Sequence, residues 1–183
     1  MVYKKAQATI EDLYNVPDNG KAEIVNGVLI IGEPAGAMHG RASFKIAVSL
    51  SQMEGRVNGR AFGDNVGFIV NLPNRQSFCP DAAFYTGPVI DENFLNGAPV
   101  FAVEIRSKND YGKSAEKKLA AKRADYFKAG TLVVWDVEVI REGWIKVYRA
   151  SNPDVPTIYR RGEIAEAEPA VPGWRMPVGE LFS

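Results

Sequence analysis

The sequence predicts a single domain of mixed α/β (α+β) architecture, covering residues 1–183. Apolar runs of strand length alternate along the chain with segments of helical periodicity, and no internal repeat, low-complexity tract or linker separates them. A length of 183 residues fits one domain with a sizeable core, and 46% apolar with 24% charged residues is ordinary for a globular protein.

The composition restricts the class of protein. The 22 basic and 22 acidic residues give a formal net charge of zero, which argues against a protein that coats nucleic acid but allows an enzyme with a local basic groove. The single cysteine, Cys79, permits no internal disulfide and suits a reducing cytoplasm. We expect a cytoplasmic protein without a membrane segment, because no signal peptide or apolar stretch of spanning length is present.

The first third of the chain is predicted to contain two helices and a hairpin. Thr9 and the acidic residues after it are typical of a helix N-terminus, and this helix should end near Asn15 because Pro17 follows. Residues 22–31 consist of two apolar runs around an Asn-Gly pair, which is a strong hairpin signal. The apolar spacing over residues 38–53 predicts a helix buried on much of its surface.

The remainder of the chain is predicted to be mainly strand, with one further helix. The predicted strands are 61–72, 76–86, 100–107, 131–138, 144–149 and a short one near 157–160. The helix covers about residues 114–129, with Ser114 as its N-cap and Gly130 as its stop. Residues 88–99 should form a loop or a short helical turn, and the C-terminal Val-Gly-Glu-Leu-Phe should contact the rest of the domain.

The strand at residues 100–107 carries the strongest functional signal. Its apolar residues indicate burial on both faces, yet it contains Glu104 and Arg106, which alternation places on one face. A buried carboxylate is costly unless it is paired with a positive charge. A metal ion and Arg106 are the obvious candidates to pair with Glu104. Upstream, Pro80 precedes Asp81, and an acid after proline followed by Glu-x-Arg on a central strand is the spacing of a metal-dependent phosphodiesterase site.

The helix that follows this strand has a lysine on its apolar face. Ala115, Leu119 and Tyr126 share one face at 100° per residue, and Lys122 lies in the same stripe, whereas Asp125 is predicted to point elsewhere. A lysine in this position either extends to an edge or meets a carboxylate. Because the helix should lie back across the sheet, Lys122 could reach the acidic residues.

These residues form a coherent site for phosphodiester hydrolysis. Asp81 and Glu104 offer oxygen ligands suited to Mg²⁺, which would bind a phosphate oxygen and lower the pKa of a bound water, and the main-chain carbonyl of Ile105 is a further candidate ligand. A lysine or arginine beside the ion could offset charge building on phosphorus. The alternative interpretation is that Asp81 only begins a turn and that Glu104 and Arg106 form a structural ion pair.

Three other side chains have open roles. Glu23 lies on the first hairpin, where it either faces solvent or adds an acidic group at the metal. His39, at the start of a helix, is a cap, a phosphate contact or a surface residue, and as the only histidine it cannot form a multi-histidine zinc site. Cys79 has no evident base partner, so we expect no thiol nucleophile.

Several motifs together resemble the Uma-type restriction endonucleases of the PD-(D/E)XK nuclease superfamily. They are Glu23-Ile-Val-Asn-Gly-Val-Leu, His39, Cys-Pro-Asp81, Val-Glu104-Ile-Arg-Ser, Lys122-Arg-Ala-Asp-Tyr126-Phe-Lys-Ala-Gly130, Val-Val-Trp135-Asp, Pro-Gly-Trp174 and the closing Leu-Phe. Their order covers nearly the whole chain. The resemblance implies a restriction-endonuclease-like fold, in which helices flank a mixed central sheet.

The resemblance also implies a hydrolase, a Mg²⁺-dependent DNA endonuclease, with Mn²⁺ as an alternative ion. Carried over by position, Asp81 and Glu104 are the metal ligands and Glu23 is the auxiliary acid. The chain departs from the superfamily pattern where Arg106 replaces a lysine, and the lysine looks relocated to the next helix as Lys122. We expect Lys122 near the metal-bound water and Arg106 as a charge clamp, because only lysine can act as a neutral base in practice.

DNA is therefore the expected partner, and a homodimer is expected because cutting both strands calls for two sites. Two alternatives share the fold. One is a catalytically inactive nucleic-acid-binding module. The other is an oligomeric interaction protein in which residues 131–160, rich in apolar and aromatic positions, pair with a second copy.

Overall fold

Three α-helices and fourteen β-strands are present in the part of the chain that the computed structural model describes, residues 4–16, 20–89 and 93–183. The helices are α1 (Ile10–Tyr14), α2 (Ala37–Ser51) and α3 (Lys113–Lys128), and a 3-10 helix follows at Val178–Phe182. The strands are β1 (Lys4–Ala6), β2 (Ala22–Val25), β3 (Val28–Ile31), β4 (Arg60–Phe62), β5 (Phe68–Leu72), β6 (Arg75–Phe78), β7 (Ala82–Tyr85), β8 (Leu95–Asn96), β9 (Phe101–Ile105), β10 (Val133–Glu138), β11 (Trp144–Arg149), β12 (Asn152–Arg160), β13 (Ile164–Glu166) and β14 (Arg175–Pro177). None of the described helices is long and apolar enough to cross a membrane.

The strands form two six-stranded sheets and one two-stranded sheet. The central sheet has the order β12-β11-β10-β9-β7-β4, with β9 and β10 parallel and all other neighbours antiparallel. The second sheet has the order β1-β3-β2-β6-β5-β8, and β13 pairs with β14. The prediction of a mixed α/β architecture with a mixed central sheet is confirmed.

Side chains alternate across the central sheet and build a core on each face. On one face, Phe101 and Val103 of β9 share a buried cluster with Ile46 of α2. On the other face, Ala102 shares a cluster with Tyr126 of α3. The two long helices therefore cover opposite faces of the sheet, and alternation turns Glu104 towards α3.

Most predicted elements are present because their local signals agree with the fold. Thr9 caps α1 in a capping box, in which its hydroxyl accepts from the Asp12 N–H at 3.3 Å and the Asp12 carboxylate accepts from the Thr9 N–H at 2.9 Å. The hairpin β2–β3 turns at Asn26 and Gly27, with φ of 51° and 68°, a backbone conformation that Asn and Gly tolerate best. At the C-terminus Leu181 is buried, so the tail contacts the domain as predicted.

Three local predictions are wrong. Residues 61–72 are not one strand, because a turn at Asp64-Asn65 separates β4 from β5. Residues 76–86 are also divided, because Pro80 lacks an N–H for the strand ladder, and β6 ends before it. The N-cap of α3 is Gly112, with φ of 90° and no capping side chain, rather than Ser114.

Two predictions fall partly outside the described residues. Pro17, the reason given for the end of the first helix, lies outside them, although α1 does end with Asn15 as its C-cap. Residues 90–92, within the segment predicted to be a loop or helical turn, also lie outside them. The described part of that segment includes the short strand β8.

Candidate active site

Asp81 is fixed where β7 begins beside the end of β9. These strands are antiparallel, so the residue before β7 lies next to the last residues of β9. The Asp81 N–H donates to the Val103 carbonyl at 2.9 Å, and Asp81 Oδ2 accepts from the Ile105 N–H at 2.6 Å. The Ser43 hydroxyl donates to the Asp81 carbonyl at 2.5 Å. The main chain and one carboxylate oxygen are thus held, and Oδ1 is left for other partners.

The second oxygen of Asp81 faces two nitrogen groups. It accepts from the Lys21 ammonium, and His39 Nε2 of α2 lies 3.1 Å away. Burial alone would raise the pKa of Asp81, but the hydrogen bond from His39 and the charge of Lys21 outweigh it and hold that pKa well below its usual value. Asp81 is therefore an ionised carboxylate at neutral pH despite its burial.

Lys21 joins Asp81 to a second acid, Asp64, in the turn between β4 and β5. The Lys21 ammonium lies 2.8 Å from Asp64 Oδ1. Burial acts to lower the pKa of Lys21, but the charges of Asp81, Glu104 and Asp64 raise it overall. Ligand atoms of His39, Asp64 and Asp81 all lie within 4.8 Å of one another, so these three could share one cation.

Glu104 lies on β9 and contacts α3 through both oxygens. Its Oε2 accepts from Lys122 at 2.7 Å, and its Oε1 accepts from the Tyr126 hydroxyl at 2.7 Å. Burial raises the pKa of Glu104, and the charge of Lys122 offsets this only in part because Asp81 and Glu23 add negative charge nearby. An added cation would offset the negative charge around Glu104.

Lys122 connects Glu104 to Glu23 of β2. The Lys122 ammonium lies 2.8 Å from Glu23 Oε1, which also accepts from the Cys79 N–H at 2.9 Å, and Glu23 Oε2 lies 2.7 Å from Arg75. Burial acts to lower the pKa of Lys122, but the charges of Glu104 and Glu23 raise it overall. In this arrangement Lys122 is a cation and not a neutral base.

Arg106 is directed away from this cluster. Its guanidinium makes two hydrogen bonds of 2.7 Å to Asp136 of β10 and also contacts Glu116 of α3. Alternation places Arg106 on the same face as Glu104, as predicted. Asp136 of the neighbouring strand lies on that face too, and its carboxylate accepts hydrogen bonds from the guanidinium. No ion pair joins Arg106 to Asp81 or Glu104 among the described residues, so the structure lends no support to a charge clamp or to a Glu104–Arg106 pair.

Comparisons with known proteins identify the family and the fold. The model of the Uma2 family, described as "Putative restriction endonuclease", matches residues 8–179. The chain belongs to the Uma2 family. A solved structure with a similar fold is described as a "putative nuclease belonging to DUF820" from Anabaena variabilis, with 17% sequence identity, a TM-score of 0.74, and coverage of 96% of this chain and 97% of that chain. The restriction-endonuclease-like fold is thereby confirmed. No curated protein matches the chain.

In this Uma2 chain the structure brings together four of the five predicted catalytic residues. Asp81, Glu104, Glu23 and Lys122 converge through the contacts above, with the main chain of Ile105 bonded to Asp81. Cys79 is close by, but burial raises the pKa of its thiol to about 12, so it stays protonated.

Sequence reasoning missed four polar residues of the site: Lys21, Asp64, Arg75 and Asp125. Lys21 precedes Glu23 by two positions, so strand alternation could have placed both on one face. Asp64 gave no signal, because it reaches the site only through the unpredicted turn. Asp125 was expected to point away from the apolar face of α3, yet it is buried and bonded to Arg75 at 3.0 Å.

The donor set of this Uma2 chain fits a divalent cation. The carboxylates outnumber the lysines and arginines in two neighbouring groups of ion pairs. In one group Lys21 pairs with Asp64 and Asp81, and in the other Arg75 and Lys122 pair with Glu23, Glu104 and Asp125, so each group has one carboxylate more than it has lysines and arginines. The donors are mainly carboxylate oxygens, the ligands that Mg²⁺ and Mn²⁺ prefer, and His39 adds one nitrogen.

Proposed function

We propose that this chain is a DNA endonuclease that hydrolyses phosphodiester bonds with Mg²⁺, or Mn²⁺, as cofactor. Membership of the Uma2 family supports a nuclease. The observation that carries the proposal is the position of Lys122, whose ammonium bonds to both Glu104 and Glu23, while the negative charge of Asp81 lies close enough to raise the pKa of Glu104. A partly buried lysine among more acids than it can neutralise provides both a cation site and a positive charge for phosphate.

Asp81, Glu104 and the Ile105 carbonyl would hold the ion. When bound, it supplies charge for a phosphate oxygen and a water of lowered pKa. The protein fixes the ligands beforehand: the Ile105 N–H orients Asp81, and the Tyr126 hydroxyl orients Glu104. Tyr126 is itself held by stacking on Phe78, with ring centroids 3.9 Å apart.

Lys122 would stabilise the charge that builds on the phosphate oxygens. Its raised pKa keeps it protonated, so the role of electrostatic stabiliser is favoured over that of neutral base. Glu23 acts as the auxiliary acid, because its carboxylate holds Lys122 in place and is itself held by Arg75 and the Cys79 N–H. Arg106, bonded to Asp136, has a structural role in this proposal.

The test is cleavage of supercoiled plasmid with Mg²⁺, with Mn²⁺ and with chelator. Asp81→Asn and Glu104→Gln each keep the side-chain shape but remove a charged ligand, so we expect nicking to fall at least about 100-fold. Glu116→Gln is the matched control, because Glu116 is half exposed and its carboxylate bonds only to Arg106 among the residues that the structure describes. Nicking by either site variant at the parental rate would overturn the assignment, provided that thermal unfolding shows an intact fold.

The same assay separates the alternative functions. Salt-dependent DNA affinity without cleavage under any ion would identify an inactive nucleic-acid-binding module. The structure argues against the oligomeric interaction protein. Val134, Trp135 and Val147 of residues 131–160 are buried within the chain itself, so they are not available to contact a second copy.

The proposal includes a homodimer and a cytoplasmic location. Two chains would supply the two sites that a double-strand cut calls for. The single cysteine, Cys79, is buried and free, which suits a reducing compartment.

A further inference from the structure

A cavity of about 430 Å³ opens beside Glu104 and runs along the first half of α3. Glu104 and Lys122 line one end of it, so it is continuous with the candidate active site. Asn109, Ser114 and Lys118 line the part that leads away from the site. A second cavity touches Glu104, but at about 10 Å³ it is too small to admit a ligand. We call the larger cavity the α3 groove.

The charged residues of the α3 groove differ in whether they are free to bind a ligand. Glu104 bonds to Lys122, Arg106 bonds to Asp136, and Asp110 accepts from the Ser107 N–H and hydroxyl at 2.8 and 2.7 Å. Only Lys118 makes no hydrogen bond or ion pair with any residue that the structure describes. The free charge of the groove is therefore positive.

The spacing along α3 fits a nucleic-acid backbone. Ser114, Lys118 and Lys122 are four residues apart, so they form one stripe with steps of about 6 Å along the axis. This step is comparable with the separation of neighbouring phosphates along a strand. A strand whose cleaved phosphate lies at Lys122 would bring its next phosphate towards Lys118.

We propose that the α3 groove binds the DNA phosphate next to the one that is cleaved, with Lys118 pairing with its charge and the Ser114 hydroxyl donating to the backbone. The inference rests on the proposed function and extends it from the reacting phosphate to the course of the strand. It also reconciles a net charge of zero with DNA binding, because Lys118 places a positive charge, unpaired among the described residues, next to the candidate active site.

The first test compares Lys118→Ala with Lys117→Ala. Both lysines are exposed on α3 and both changes remove one charge, but Lys117 does not line the groove. Binding to a labelled duplex is measured by anisotropy with Ca²⁺ over a range of salt. We expect Lys118→Ala to weaken binding about fivefold or more and to reduce the salt slope by about one, whereas Lys117→Ala changes affinity less than about twofold. Lys118→Arg should retain the parental affinity.

The second test locates the phosphate. A duplex with one neutral methylphosphonate beside the cleaved position should bind the parent protein more weakly by a factor similar to that of Lys118→Ala. It should not weaken Lys118→Ala further, because the contact is already lost. Additive losses would place Lys118 at another phosphate and overturn the assignment.

The outcomes separate this inference from the proposed function. If the parent cleaves DNA but Lys118→Ala behaves like Lys117→Ala, the α3 groove is not a backbone site and the nuclease proposal stands. If the parent neither binds nor cleaves DNA, both fail.

Discussion

Each buried carboxylate of the candidate active site is held by a cation from elsewhere in the chain. Lys21 holds Asp81, and Lys122 holds Glu104. Removing one partner of such a pair is costly, because it leaves a buried charge without compensation. The pairs therefore oppose protonation of the acids and hold them close together, although like charges would otherwise separate them or take up protons.

Lys21 is the cation that an added metal ion could best replace, because it lies between Asp64 and Asp81. We predict that Lys21→Met lowers the free energy of unfolding in chelator by about 1–3 kcal/mol. We also predict a larger gain in melting temperature on adding Mg²⁺ than the parent shows, since the ion then supplies the missing charge. Thermal unfolding with chelator and with Mg²⁺ measures both effects.

Lys117→Met is the control for this experiment, because Lys117 is exposed on α3. It should leave both the stability and the response to Mg²⁺ at parental values. An unchanged response to Mg²⁺ in Lys21→Met would show that the ion does not take the place of Lys21 beside Asp81.

At the scale of elements, the turn between β10 and β11 is organised by one carboxylate. Glu138 accepts from the N–H groups of four consecutive residues, 140–143, at 2.6 to 2.9 Å, and from the Tyr111 hydroxyl at 2.8 Å. Burial acts to raise the pKa of Glu138, but these hydrogen bonds to the charged form lower it overall. The turn thus has a fixed geometry without a two-residue hairpin loop.

We predict a pH dependence from this turn. Because the folded-state pKa of Glu138 lies below the unfolded value of about 4.3, its ionised form stabilises the fold above that pH. The contribution is lost as the pH falls through the folded-state pKa. Glu138→Gln should reduce the free energy of unfolding at pH 7 by about 1–3 kcal/mol and flatten its decline below about pH 4, as measured by urea unfolding.

Glu142→Gln provides the control in the same turn, since its side chain is 73% exposed. It should unfold like the parent at every pH. A Glu138→Gln variant with the parental pH profile would show that other carboxylates govern the acid limb.

Local spacing predicts most elements and part of the site. The stripe of α3 predicts that Lys122 and Tyr126 face the acidic residues of the sheet, and both bond to Glu104, because a helix fixes the relation between spacing and face. The meeting of Lys21, His39 and Asp64 could not be predicted in this way, since three separate segments bring them together only after both sheets have assembled. Strand alternation predicts the face of the sheet on which Arg106 lies. It does not predict that Asp136 of the adjacent strand lies beside Arg106 and binds its guanidinium.

At the scale of the whole molecule, the central sheet protects its long edge. The edge strand β12 carries Pro153 and Pro156, which cannot donate to a further strand, although Val155 and Ile158 are exposed on it. Strand addition from a second copy at β12 is therefore disfavoured. A homodimer would then form through a surface other than the β12 edge, and each chain would keep a complete set of site residues.

This completeness leads to a prediction about mixed dimers. One chain holds the whole cluster around Asp81, Glu104 and Lys122, so each chain should cut one strand. When parental protein is mixed with an excess of Asp81→Asn, most parental chains pair with a variant chain, so most active dimers contain one intact site. We expect linear plasmid to decline in favour of nicked circles, because a mixed dimer cuts one strand and then dissociates.

Gel analysis of linear and nicked plasmid measures this shift. The same excess of Glu116→Gln, which keeps its site, should leave the ratio of the two products unchanged. A ratio that does not depend on the fraction of Asp81→Asn would mean that the chains cut independently, as monomers.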